Sequence, residues 1–269
     1  MYRFFSTLLY VCFVPFVFIA LLFGLVRIQG KTRKYRINPN LYTPEARYRS
    51  IYKLINKLFY VMRISVKVNG YDQLSHAPVL YVVNHKSNID PLVMIKILYE
   101  YKSGYYPGLE FLLIAKIELH KGLKGRILDL LDIVYIDRND IRQQFRVYQA
   151  QLKAVKEQRK SVVLFVEGHR YFGDEFGTFK PGALRVGYDT LIPIAPTVIY
   201  GSSGRFMDHN KTNRNKDKCI YVKFLRQFNP HDYSTHHSNF LAEKLQYLMQ
   251  NEYNEMKRKH DKKIPIFTD

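Results

Sequence analysis

At 269 residues the chain is long enough for one sizeable domain, or one domain with an anchor, and its 47% hydrophobic and 15% aromatic content excludes a disordered protein. Lys and Arg number 42 against 23 Asp and Glu, giving a net charge of +19 that points to a polyanionic partner: nucleic acid, an anionic membrane surface or a phosphorylated substrate. The two cysteines, Cys12 and Cys219, offer neither a disulfide framework nor a zinc spacing, so no cysteine-bound metal is expected.

The first element narrows the choice of polyanion. Residues 4–26 are almost wholly apolar and carry no charge, and about 20 such residues suffice to cross a bilayer. A cleaved signal peptide is the competing reading. The run is long for one, and Val26-Arg27-Ile28-Gln29-Gly30 lacks a small-residue cleavage site. Only Arg3 precedes the run, whereas Arg27, Lys31, Arg33, Lys34 and Arg36 follow it, so the positive-inside rule places the main domain in the cytoplasm. Residues 1–30 are therefore expected to be a membrane anchor, either spanning or bent into one leaflet at Pro15 and Gly24. Residues 31–63 are expected to form a basic linker and an amphipathic helix, with Ile51, Leu54, Ile55, Leu58, Phe59 and Met62 on one face. That helix could lie on the membrane or pack on the domain.

From residue 64 to the end, strand-like and helix-like runs alternate. Strands are predicted over 64–68, 79–83, 111–115, 133–136, 161–166, 191–199 and 220–225. Helices are predicted over 91–102, 122–131, 140–159 (capped by Asp140) and about 239–257. The basic, Gly/Ser/Asn-rich stretch 201–218 reads as a mobile loop. The alternation predicts an α/β domain with a largely parallel central sheet flanked by helices.

Polar residues gather where strands stop, at Asn84-His85, at Asp137-Arg138 and at Glu167-Gly168-His169-Arg170. In open α/β sheets ligands bind at the carboxyl ends of strands. The most informative of these stretches is Asn84-His85-Lys86-Ser87-Asn88-Ile89-Asp90-Pro91. Five residues between His85 and Asp90 suit a strand that turns into a helix, with both side chains meeting over the turn. A carboxylate that fixes a histidine tautomer is the basic unit of general-base catalysis. The same residues would also make a plain helix start, with Asp90 as N-cap and Pro91 at the first helical position.

In series, these motifs resemble those of the glycerophospholipid acyltransferases, and most closely the 1-acylglycerol-3-phosphate (lysophosphatidate) acyltransferases. Asn84, His85, Ser87 and Asp90 match that family's Asn-His-x-Ser-x-x-Asp. Lys116, Glu118, Leu119, Gly125 and Ile136-Asp137-Arg138 partly match its second motif, and Phe165-Val166-Glu167-Gly168-His169-Arg170 its third. Phe179-Lys180-Pro181-Gly182-Ala183 and Ile192-Pro193-Ile194-Ala195-Pro196 resemble later segments, so that the likeness runs from about Val66 to Tyr200. Val166 stands for a usual proline and His169 for a usual threonine, His169 being either a turn residue or a second titratable group. The second motif lacks its proline and has Asp132 where glycine is common.

The resemblance implies transfer of a fatty acyl group from a thioester, acyl-CoA or acyl carrier protein, to the free hydroxyl of 1-acylglycerol 3-phosphate, making phosphatidate. No further cofactor is implied. His85 would be the general base and Asp90 its orienting carboxylate; Lys116, Arg138, Glu167, Gly168 and Arg170 would form the acceptor's headgroup site. Partners would be the lysophospholipid, the acyl carrier and anionic membrane lipids. The alternatives are a sister enzyme acting on another lysophospholipid or glycerol 3-phosphate, and a non-catalytic membrane-surface or polyanion-binding protein. Nucleic acid is not expected, because no binding motif accompanies the basic charge and an apolar anchor argues against it. Ser87 lies outside any Gly-x-Ser-x-Gly elbow, so an acyl-serine route is not expected.

Overall fold

The computed structural model describes residues 2–75, 78–105, 110–137, 140–204 and 218–267. Arg138 and most of the stretch expected to be a mobile loop, 205–217, lie outside the described residues.

The chain opens with one long helix, α1 (Tyr2–Ile37), which contains Pro15 and continues past Gly30. The basic stretch expected as a linker is thus the end of a helix. It stays helical because its polar side chains find partners in the domain. The Thr32 hydroxyl donates to the Arg126 carbonyl at 2.8 Å, Tyr35 Oη donates to Asp132 at 2.5 Å, and Arg36 Nε donates to Asp129 at 3.0 Å.

Helix α2 (Pro44–Val61) has Thr43 as its N-cap and Pro44 in the first turn. It runs antiparallel along α1: Tyr10 Oη donates to the Val61 carbonyl, Lys57 to the Ala20 carbonyl and Lys31 to the Ser50 hydroxyl. Its apolar stripe (Ile51, Ile55, Phe59) is buried in the domain core, so this helix packs on the domain. The outward side of α1 keeps large apolar residues exposed, among them Phe16 (70%), Phe23 (71%) and Val26 (66%). Residues 10–37 are long and apolar enough to cross a membrane.

Among the described residues seven strands follow: β1 (Ser65–Asn69), β2 (Leu80–Val83), β3 (Phe111–Lys116), β4 (Val134–Ile136), β5 (Ser161–Phe165), β6 (Ile194–Tyr200) and β7 (Cys219–Phe224). They form one sheet in the order β1-β7-β6-β2-β5-β3-β4. All neighbouring pairs are parallel except β6 with β7. The largely parallel sheet expected from the alternation is present, with β1 and β7 reversed at one side.

Between the strands lie α3 (Asp90–Tyr105), α4 (Gly122–Asp129), α5 (Ile141–Lys156) and the short α6 (Arg185–Thr190), and after β7 come the short α7 (Pro230–Tyr233) and the long α8 (Ser238–Asp261). Asp140 caps α5 by accepting from the amides of Arg142 and Gln143. Because side chains alternate along a strand, β2 serves two cores. Tyr81 and Val83 pack with α1, α2 and α3 on one face; Leu80 and Val82 pack with α5, α6 and α8 on the other. Central β2 is therefore wholly buried and rigid up to its last residue, and the site begins at the residue that follows.

Candidate active site

Asn84 extends β2 and fastens it to β6. Its carboxamide donates to the Ile199 carbonyl at 3.0 Å and accepts from the Ile199 amide at 2.7 Å, both buried. This fixes the height at which the next residue, His85, leaves the sheet.

The turn from His85 to Asp90 folds around a single carboxylate oxygen. Asp90 Oδ2 accepts from the backbone amides of Lys86 and Ser87, each at 2.7 Å, and lies 2.9 Å from His85 Nδ1. Asp90 is fully buried at the first turn of α3, whereas the His85 side chain is 15% exposed. Asp90 therefore opens the helix and holds the histidine at once. With the carboxylate on Nδ1, the hydrogen-bond network assigns the ring proton to Nδ1 and leaves the Nε2 lone pair as the basic site. The Phe165 ring packs on the imidazole, with centroids 4.4 Å apart.

The His85 backbone is held from both sides by the segment after β5. Glu167 Oε1 accepts from the His85 amide at 2.7 Å, and the His85 carbonyl accepts from the Tyr171 amide at 3.0 Å. Glu167 Oε2 accepts from the Gly177 amide at 2.7 Å. Burial pushes the Glu167 pKa above the ordinary carboxylate value, opposed by the two amides and by the nearby Lys86 and His85. Both Glu167 oxygens thus serve backbone amides, which makes this carboxylate a brace for the His85–Asp90 turn. Gly168 takes a left-handed φ of +78°, a conformation that favours glycine.

Strands β2, β5, β3 and β4 are parallel neighbours in that order, so their carboxyl ends form one row. His85 follows β2, Arg170 comes shortly after β5, Lys116 ends β3 and Asp137 follows β4. Adjacent strands lie about 4.8 Å apart, so Lys116, two strands along, is roughly 10 Å from the end of β2. Lys116 is exposed, and Arg170 is half-buried with its guanidinium 5.5 Å from the Phe172 ring centre. His169 is exposed and its ring lies 4.5 Å from that of Tyr171. Among the described residues no group of three or more His, Cys, Asp or Glu could hold a metal ion.

Two features are not assigned a role by the sequence. Lys86, directly beside His85, is 1% exposed. Gln246 and Gln250 of α8 accept from the amides of Phe179 and Phe176. The only sequence signal for Lys86 is its place inside the His85–Asp90 turn; the glutamines carry none, since their partners lie about 70 residues away in sequence.

A buried His–Asp turn at the carboxyl end of a parallel strand, followed along the sheet edge by basic residues, defines an α/β transferase-type site. Residues 65–200 match the family model described as Acyltransferase, and the chain belongs to the acyltransferase family. A probable 1-acyl-sn-glycerol-3-phosphate acyltransferase of Mycoplasma genitalium is 33% identical over 266 residues, covering 97% of each chain. A protein of the same description from Mycoplasma pneumoniae is 33% identical over 233 residues, 85% of this chain and 84% of its own. The fold is similar to that of the crystal structure of the 1-acyl-sn-glycerophosphate (LPA) acyltransferase PlsC from Thermotoga maritima. The TM-score is 0.63 at 18% identity, covering 95% of this chain and 98% of the other.

Proposed function

We propose that this acyltransferase moves a fatty acyl group from a thioester, acyl-CoA or acyl carrier protein, onto the free hydroxyl of 1-acylglycerol 3-phosphate, forming phosphatidate for phospholipid synthesis. The observation that carries the reading is the His85 Nδ1–Asp90 contact at 2.9 Å, which leaves Nε2 basic at the carboxyl end of the central strand. The names of the two relatives support the choice of acceptor.

His85 Nε2 takes the hydroxyl proton as the oxygen attacks the thioester carbon. The tetrahedral oxyanion then collapses, the C–S bond breaks, and the thiolate leaves and recovers the proton from the imidazolium. Asp90 stabilises that imidazolium, and no acyl-enzyme forms. An ordinary imidazole has a pKa of about 6.5 and a thiol one near 8.5, so such a base suffices and the leaving group needs no strong acid. Lys116, Arg138 and Arg170 serve the acceptor phosphate, the arginines through planar forks and the lysine as a point charge. Glu167 and Gly168 shape the turn that presents His85 and Arg170. No further cofactor is used.

Helix α1 holds the enzyme at the membrane through its exposed apolar side. Its contacts along the whole of α2, itself packed on the domain, favour an anchor seated in one leaflet over an upright span. The basic residues that follow residue 26 face the cytoplasm with residues 64–269, the catalytic domain.

The test uses purified full-length protein in detergent with a panel of lysophospholipids and both thioester donors. Phosphatidate should form from 1-acylglycerol 3-phosphate, and His85→Ala should abolish it with the fold preserved. Undiminished transfer by folded His85→Ala would sink the mechanism.

A further inference from the structure

Lys86 is a lysine with no surface to occupy. Its Nζ donates to the Glu175 carbonyl and sits 4.8 Å from the Phe176 ring centre and 5.4 Å from that of Tyr253 on α8. The two rings meet edge to face. Burial lowers the Lys86 pKa, and the carboxylates of Glu167, Asp174, Asp90 and Glu175 oppose that shift. Burying a cation costs solvation free energy that only its contacts can offset.

What it contacts is the segment that braces His85. Tyr171 binds the His85 carbonyl, and Gly177 binds Glu167, whose other oxygen binds the His85 amide. The Tyr171 ring lies so close over Gly177 that a Cβ there would overlap it, at 1.8 Å. The outer side of the segment is tied to α8. Gln250 accepts from the Phe176 amide at 2.7 Å and donates to the Asp174 carbonyl at 3.1 Å. Gln246 accepts from the Phe179 amide at 3.0 Å, and Lys257 pairs with Asp174 at 2.6 Å. Residues 171–179 are therefore clasped from inside by Lys86 and from outside by α8.

The geometry points to Lys86 as a positioning residue of the acyl transfer: its buried ammonium clasps residues 171–179 against the catalytic turn, and Gln246 and Gln250 of α8 complete the clasp, so that His85 is held in line for proton transfer. This rests on His85 being the base, and it extends the active site to a helix some 160 residues beyond it in the chain. A misplacement of the base acts on the chemical step more than on acceptor binding.

The experiment compares Lys86→Met, Gln250→Ala and the double variant with the parent, all as full-length protein in detergent. Three quantities are measured: kcat, KM for 1-acylglycerol 3-phosphate, and hydrogen exchange of peptides covering 171–179. Lys86→Met keeps the length and apolar stem while removing the charge and the donor. It should lower kcat at least about tenfold, with KM changed less than about threefold and exchange in 171–179 accelerated. Gln250→Ala should act in the same direction and more weakly, and it carries the test alone if Lys86→Met does not fold. Because both residues hold one segment, the double variant should lose less than the product of the single losses. Parental kcat in Lys86→Met, a loss of kcat with unchanged exchange in 171–179, or losses that simply multiply would overturn the proposal. An active His85→Ala would instead remove the base assignment, and the exchange measurement would still judge the clasp.

Discussion

Replacing Asp90 by asparagine separates what the carboxylate does for the fold from what it does for the chemistry. Three donors converge on Oδ2: the Lys86 and Ser87 amides and His85 Nδ1. The carboxamide oxygen must take that position, because an NH₂ group there would face three donors. The NH₂ then falls where Oδ1 now lies, a buried atom with no hydrogen-bond partner. Burying an unsatisfied donor costs about 1–3 kcal/mol, so the variant should fold with a lower unfolding temperature. The larger effect is on the imidazolium that the proposed mechanism forms during transfer. Exchanging a charge-assisted hydrogen bond for a neutral one loses roughly 1–2 kcal/mol. The full attraction between unit charges about 4 Å apart is about 4 kcal/mol at an effective dielectric of 20. At 1.36 kcal/mol per decade, these bounds give a fall in kcat of about 5- to 1000-fold. The assay is phosphatidate formation with thiol release at saturating acceptor, with thermal unfolding followed in the same preparation. KM for the acceptor should stay within about threefold, since Asp90 is fully buried. A folded Asp90→Asn protein with kcat within about twofold of the parent would refute the claim that the carboxylate supports a charged imidazole.

Asn84→Leu should destabilise the protein by about 2–4 kcal/mol, read from denaturant unfolding, because it strands the buried amide and carbonyl of Ile199 without removing either. Parental stability would show that the bridge between β2 and β6 is dispensable. Phe16→Glu with Phe23→Glu, both on the outward side of α1, should shift the protein from the membrane to the soluble fraction while leaving the unfolding temperature unchanged, whereas high salt should not release the parent. Removing the whole helix is the poorer test, since it would strip the α2 contacts as well. Arg170→Ala should reduce kcat/KM for 1-acylglycerol 3-phosphate about ten- to a hundredfold, with Arg170→Lys recovering only part of it for want of the planar fork. Monoacylglycerol should be a poor acceptor, and its acylation at the same efficiency would overturn the phosphate assignment.

The division between what the sequence reveals and what it hides follows the range of the interactions. The strands and the His85–Asp90 turn are legible because each is set within a few residues: a buried apolar run, a polar stop, and a carboxylate at the spacing a turn can close. Orientation within the sheet is less so. The alternation in 219–224 reads the same whichever way β7 runs, and only its pairing with β6 makes it antiparallel. The end of α1 was hidden for a related reason. Loss of hydrophobicity near Arg27 marks where an apolar surface stops, while the helix itself persists to Ile37 because Thr32, Tyr35 and Arg36 meet α4 and the turn after it. Lys86 is the extreme case. Lysine is almost never fully buried, so its type points to solvent, and only the tertiary structure supplies the rings of Phe176 and Tyr253 that enclose it. Glu167 shows the same inversion. As one charge in a basic cluster it reads as a headgroup ligand, yet its oxygens are engaged by His85 and Gly177, residues 82 and 10 positions away. The motifs therefore mark the His85–Asp90 pair by local spacing, while the side chains that hold it in place are found through contacts that no local pattern encodes.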